Sequence, residues 1–230
     1  MKKATSHELG RQLGGIDLHV DISAENLCFG YDSEKAVVKD FTVSFRPGTM
    51  TALTGASGCG KSTLLYLLGL MLTPQSGCIR LTGRRVDDLH DRERAQLRAE
   101  CFGFVFQDAA LDETRTVLDN VTETTLYRRV SRESVEGRAK LLLEEFGVDV
   151  PADRKPGQVS GGQAQRIALC RALLFSPALL LADEPTGNLD PATSEVVFGA
   201  LQAHAQAGGT VIVATHSPQF AGGCDEVLEL

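Results

Sequence analysis

No apolar run in these 230 residues is long enough to cross a bilayer. The longest, Leu64 to Leu72, is interrupted by Gly69, whereas a helical span needs about twenty predominantly apolar residues. If a membrane is involved, another chain must cross it. Met1-Lys2-Lys3 is followed by Thr, Ser, His and Glu rather than an apolar segment, so no secretory signal is expected here. Positive charge is also in deficit, with 23 Lys and Arg against 30 Asp and Glu and a formal charge of -7. That balance disfavours a general nucleic-acid-binding surface, and the basic pairs Arg84-Arg85 and Arg128-Arg129 read as solvated faces. The six cysteines (Cys28, Cys59, Cys78, Cys101, Cys170, Cys224) are scattered and contain no Cys-x-x-Cys pair. Metal-knuckle and dithiol redox motifs are thereby excluded, and reduced thiols in a cytosolic setting are expected. No internal repeat or low-complexity tract is visible.

What is present is a globular composition, 43% hydrophobic and 23% charged, in a chain long enough for one large domain or a core with a small subdomain. Residues 1–22 are polar and weakly patterned and read as a loose extension, leaving 23–230 as the folded domain. Alternation around Leu27-Phe29-Tyr31 and Phe41-Val43-Phe45 predicts antiparallel strands, with a turn at Pro47-Gly48. Lys61 to Leu72 predicts a helix stopped by Pro74. Gly103 to Phe106 reads as a short strand. The stretch to about Gln158 is mostly helical in pattern, most clearly at Val135 to Phe146, so a helical subdomain over about 108–160 is expected. Ala178 to Ala182 and Thr210 to Ala214 read as buried strands around a helix from Pro191 to Gln206 that Gly208-Gly209 ends. Apolar strands alternating with helices indicate an α/β fold with a parallel core sheet.

Chemistry is concentrated in three runs. Gly55-Ala56-Ser57-Gly58-Cys59-Gly60-Lys61-Ser62 follows a strand and opens a helix. This is the phosphate-loop pattern: glycines let successive backbone N–H groups turn inward around phosphate oxygens, and the helix N-terminus adds positive potential. Lys61 would reach the β- and γ-phosphates, Ser62 would ligate Mg²⁺, and Thr63 follows within the nucleotide's reach. Cys59, near a helix N-terminus, reads as a small tolerated side chain more readily than as a redox switch. Leu179-Leu180-Leu181-Ala182-Asp183-Glu184 is an apolar strand delivering two carboxylates to a sheet edge. Asp183 is placed to hold a Mg²⁺-bound water and Glu184 to polarise an attacking one. Third, Val159-Ser160-Gly161-Gly162-Gln163 opens a helix with small residues, a second cradle suited to phosphate.

Ser160-Gly161-Gly162-Gln163, with Arg166 following, resembles the signature motif of ATP-binding cassette (ABC) ATPases. Asp183-Glu184-Pro185-Thr186-Gly187-Asn188-Leu189-Asp190 is similar to that family's Walker B and D-loop run. Gln107 matches the Q-loop position, His216 the switch histidine, and Tyr31 lies where an adenine-stacking aromatic falls. The resemblance covers the chain from Ala24 onward, in the family's order and spacing. Val159 and Ala164 depart from the usual residues but leave the phosphate-facing atoms intact. The other histidines, His7, His19, His90 and His204, match no motif and are expected at the surface.

The resemblance implies a P-loop core with a parallel sheet, an N-terminal antiparallel β subdomain and a small α-helical subdomain. It implies ATP and Mg²⁺ as cofactors, with Ser62, Gln107 and Asp183 toward the metal and Lys61, Glu184, Gln107 and His216 in catalysis. Ser160, Gly161, Gly162, Gln163 and Asp190 would act across a dimer, because one chain supplies one phosphate loop and one signature. The acidic run, and the stretch from Phe104 to Val121, look most like the bacterial group of lipoprotein-release, macrolide or peptide-export and cell-division cassettes. The partners implied are a second copy and an integral membrane permease docking near Gln107 to Val121, with no nucleic acid. The location implied is the cytoplasmic face of a bacterial cell membrane. A soluble cassette ATPase serving assembly or regulation is the alternative.

Overall fold

In a computed structural model of the chain, residues 19–32, 35–187 and 189–230 are described. Residues 1–18 of the expected extension, His7 among them, and Asn188 of the acidic run lie outside the described residues.

Two sheets carry the fold. The first is four-stranded and antiparallel, built from β1 (Ile22–Phe29), β2 (Val38–Phe45), β4 (Ser76–Leu81) and β5 (Arg84–Arg85) in the order β2-β1-β4-β5. The second is five-stranded and parallel, with β3 (Met50–Thr54), β6 (Phe102–Val105), β7 (Leu179–Asp183), β8 (Thr210–Ala214) and β9 (Glu226–Glu229) in the order β6-β7-β8-β3-β9. Parallel strands covered on both faces need apolar side chains at every position. β7 and β8 meet this, being buried throughout. Leu179 and Leu181 face one apolar cluster, shared with the antiparallel sheet, while Leu180 and Ala182 face another.

The helices are α1 (Lys61–Leu68), α2 (Asp91–Cys101), α3 (Val117–Val121), α4 (Thr125–Arg128), α5 (Glu133–Glu145), α6 (Gly161–Leu173), α7 (Pro191–Gln206) and α8 (Pro218–Gly222). Helices α3 to α5 follow β6, and α5 covers the segment whose amphipathic pattern was strongest. Pro47-Gly48 does form a turn, but it leads from β2 in one sheet to β3 in the other rather than closing a hairpin.

Helix α1 ends earlier than expected. Gly69 caps it, donating to Leu65, and Leu70 turns left-handed at φ 57°. Arg98 of α2 donates to the Leu70 carbonyl at 2.6 Å. A side chain at Gly69 would meet Phe104 at 2.7 Å, and the helix has already ended before Pro74 is reached. Arg128 also departs from the solvated face expected of it. Its guanidinium donates to the carbonyls of Ala99 (2.6 Å) and Glu100 (2.5 Å) and lies 4.3 Å from the Phe175 ring centroid. His204 is buried, and its Nε2–H donates to the Pro177 carbonyl at 2.8 Å. His19 and His90 are exposed as expected.

Candidate functional site

Neighbouring parallel strands put their carboxyl ends at one edge, and the segments leaving β3, β7 and β8 there carry most of the motif residues. After β3 the chain enters the phosphate loop, where Gly55, Gly58 and Gly60 take φ values of 135°, 79° and 106°. Side-chain-bearing residues avoid that region. At Gly55 a Cβ would also meet the Leu230 carbonyl at 2.8 Å and Cys59 Sγ at 2.9 Å. Lys61 is buried, and its Nζ donates to the Gly55 and Ala56 carbonyls at 2.9 and 3.1 Å. The Lys61 ammonium is thus held against the loop that it serves.

Ser62 and Asp183 meet directly. The Ser62 hydroxyl donates to Asp183 Oδ1 at 2.9 Å, and the Tyr66 hydroxyl donates to Oδ2 at 3.1 Å. Burial, followed by the charge of Asp183 and this hydrogen bond, pushes the Tyr66 phenol up to about 12. Tyr66 belongs to no motif. Its signal in the sequence is its spacing, four residues after Ser62 on one helix face. Tyr31 projects beside the same helix, 67% exposed, with its ring edge-on to Phe29 at 5.1 Å and its hydroxyl 3.3 Å from that of Thr63. A ring exposed yet anchored at both ends is suited to stacking a planar ligand.

Glu184 adopts a left-handed backbone at φ 44°, with its N–H donating to the Ala214 carbonyl at 2.9 Å. Such a conformation in a non-glycine residue is held by its surroundings. Here it turns the carboxylate toward His216, whose Nδ1 lies 2.9 Å from Oε2 and whose backbone N–H donates to the same oxygen at 3.3 Å. Gln107 sits in the exposed turn after β6 and lines one cleft with Gly161 and Glu184.

The second cradle is built as a helix start. Ser160 caps α6, accepting from the Gln163 N–H, while Gln163 Oε1 accepts from the Ser160 N–H at 2.9 Å. A Cβ at Gly162 would stand 3.7 Å from Thr193, at the start of α7, which Asp190 caps by accepting from both the N–H and hydroxyl of Thr193. Those bonds hold the Asp190 carboxyl below its usual range. At Gly161 a Cβ would meet nothing within 4 Å. Among the described residues, no hydrogen bond or ion pair joins 160–163 to 55–63. The structure therefore brings Lys61, Ser62 and Asp183 into one cluster and pairs Glu184 with His216. The Ser160 segment makes no such bond to the phosphate loop, and Gly161 reaches this edge only through the cleft that it lines with Gln107 and Glu184.

Behind this edge lies an apolar groove of about 480 Å³ between β6, α2, α4 and α6. Phe102, Phe104 and Phe106 stack along it with centroids 5.8 and 5.9 Å apart, and Tyr127 lines its rim, 65% exposed.

The family model for ABC transporters matches residues 38–187. The lipoprotein-releasing system ATP-binding protein LolD of Cereibacter sphaeroides is 42% identical over 202 residues, covering 87% of this chain and 90% of that protein. The macrolide export ATP-binding/permease protein MacB of Hahella chejuensis is 40% identical over 92% of this chain, which spans only 32% of that longer protein. Among solved structures, the dimeric ABC transporter cassette MJ0796 superposes with a TM-score of 0.84 at 33% identity, covering 91% of this chain and 94% of that one. A post-hydrolysis dimer of the same cassette, bound to ADP and Pi, matches equally well at 32% identity. With the motif residues arranged at one sheet edge as described, the chain belongs to the ATP-binding cassette ATPases of the ABC transporter family.

Proposed function

We propose that two copies of this chain clamp ATP between the phosphate loop of one and the Ser160 segment of the other, and that the cycle of closure and hydrolysis drives a separate membrane permease. The observation that carries the dimer reading is Gly161. A glycine costs helix stability relative to alanine, and beyond its own helix turn nothing in the chain lies within 4 Å of where a side chain would stand. A bare helix start with outward N–H groups fits an incoming phosphate. The dimeric form of the similar cassette MJ0796 supports the same reading.

Ser62 Oγ and Asp183 Oδ1, 2.9 Å apart, are hard oxygen donors that fit Mg²⁺ arriving with nucleotide phosphates, and the family resemblance adds the Gln107 side-chain oxygen. When bound, the ion would neutralise charge on the phosphates. Around it, Lys61 would grip phosphate, Glu184 would orient water, and His216 would hold the Glu184 carboxylate in place. Tyr31 would stack the base, while Asp190 fixes the start of α7 at the interface. The apolar groove with its exposed Tyr127 suits a permease helix on the cytoplasmic face of the membrane, in keeping with the pairing of ATP-binding and permease in the name of MacB.

Nucleotide binding and hydrolysis by two variants test the site. Lys61→Ala is expected to lose ATP binding. Glu184→Gln should keep it while hydrolysis falls by about 10²–10⁴-fold, the usual contribution of a positioned base. Normal turnover by Glu184→Gln would refute the assignment. The permease reading predicts co-purification with an integral membrane protein from detergent-solubilised native membranes, and it fails if the chain is recovered only in soluble complexes.

A further inference from the structure

The loop that carries Gln107 has an unusual conformation and unusual support. Ala109 and Ala110 are consecutive residues in the left-handed region, at φ 60° and 45°. Neither is glycine, asparagine or aspartate, the residues that adopt it readily. Nothing in the loop's own sequence favours the shape. The support comes from α6, the helix that Ser160 caps. On the near side of Gln107, the buried Gln165 side chain donates to the Phe106 carbonyl at 3.0 Å. On the far side, Arg171 donates through one terminal nitrogen to the Ala109 carbonyl and through the other to the Ala110 carbonyl, both at 2.8 Å. Arg171 is only 9% exposed, and the carboxylate facing it, Glu123, stands between α3 and α4 at 3.7 Å.

We infer that Arg171 is a positioning residue that sets the conformation of the Gln107 loop and ties it to the signature helix, so that Gln107 and the Ser160 end of α6 move as one body. A guanidinium is suited to this because its planar fork spans two successive carbonyls, which a lysine ammonium does not. The arrangement also links the loop to the helical layer through Glu123. A shift at the groove can thereby reach Gln107 and Ser160 together. Its consequence for turnover rests on the reading of Gln107 given above, whereas the structural claim does not.

Amide hydrogen exchange on the full chain tests the structural claim directly, comparing the parent with Arg171→Lys. Exchange over residues 106–112 is expected to rise by about tenfold or more, with β7 and α1 unchanged, as for a local opening. Steady-state ATP hydrolysis should show kcat down by about tenfold with KM for ATP little changed, the signature of a misplaced rather than lost group. Unchanged exchange in the loop, or acceleration spread evenly over β7 and α1, would overturn the inference. Should Arg171→Lys fail to fold, Gln165→Met removes the near-side bond alone. It is expected to give a smaller acceleration at the same residues, and no acceleration there overturns the inference as well. Gln107→Ala separates the two readings. If it turns over as the parent does, the role given to Gln107 fails while the exchange result still decides for Arg171.

Discussion

A carboxylate at the end of a buried strand needs a partner for each oxygen, and Asp183 finds both on one helix, in Ser62 and Tyr66. Removing the Tyr66 hydroxyl leaves Oδ2 of the buried Asp183 without that donor. Tyr66→Phe should therefore lower stability by about 1 kcal/mol, measured by urea unfolding; no change would mean that the bond contributes nothing net. His204 makes a different prediction at the same scale. Burial lowers its pKa from the ordinary 6.5, against a smaller opposing effect of the bond to Pro177. Below about pH 6.5 the unfolded chain then binds a proton that the folded chain refuses, so stability falls as pH drops, by at most about 1.4 kcal/mol per pH unit. His204→Gln should flatten that part of the stability-pH curve between pH 7 and 5. Motif spacing points to Lys61, Ser62, Asp183, Glu184 and His216, but not to Tyr66, Gln165 or Arg171. Those three act through contacts that only the fold creates.

At the scale of elements, the readable parts of the chain are the ones whose burial is one-sided or complete. β7, β8, α5 and α7 announce themselves by period or by continuous apolarity. Residues 76–101 do not. Strand β4 begins with Ser76-Gly77, and α2 is Asp91-Arg92-Glu93-Arg94 and more charge, burying only Leu97 and Cys101. Tertiary packing, not pattern, makes these elements. Helix α6 illustrates how structure and function separate on one element. Its capping box, Ser160 with Gln163, serves folding, while a side chain at Gly161 would meet nothing beyond its own helix turn. Gly161→Ala is therefore expected to leave thermal stability equal or higher, since alanine is the better helix former, while ATP hydrolysis drops sharply. A parallel loss of stability would show that Gly161 is needed by the fold instead.

For the whole molecule, the proposed function makes one chain half of a two-chain machine. Lys61, Ser62 and Asp183 form one cluster, Glu184 and His216 adjoin it at the same sheet edge, and the Ser160 segment makes no polar contact with the phosphate loop of its own chain. The measurement that tests this most directly is the solution mass of the Glu184→Gln variant with and without ATP, repeated in the double variant Gly161→Asp, Glu184→Gln. Slow hydrolysis should hold Glu184→Gln closed, so ATP doubles its mass. The added carboxylate at Gly161 would face the partner's phosphate, so the double variant should bind ATP normally and remain a single chain. A double variant that dimerises as well as Glu184→Gln, or that loses ATP binding as a single chain, would contradict the account.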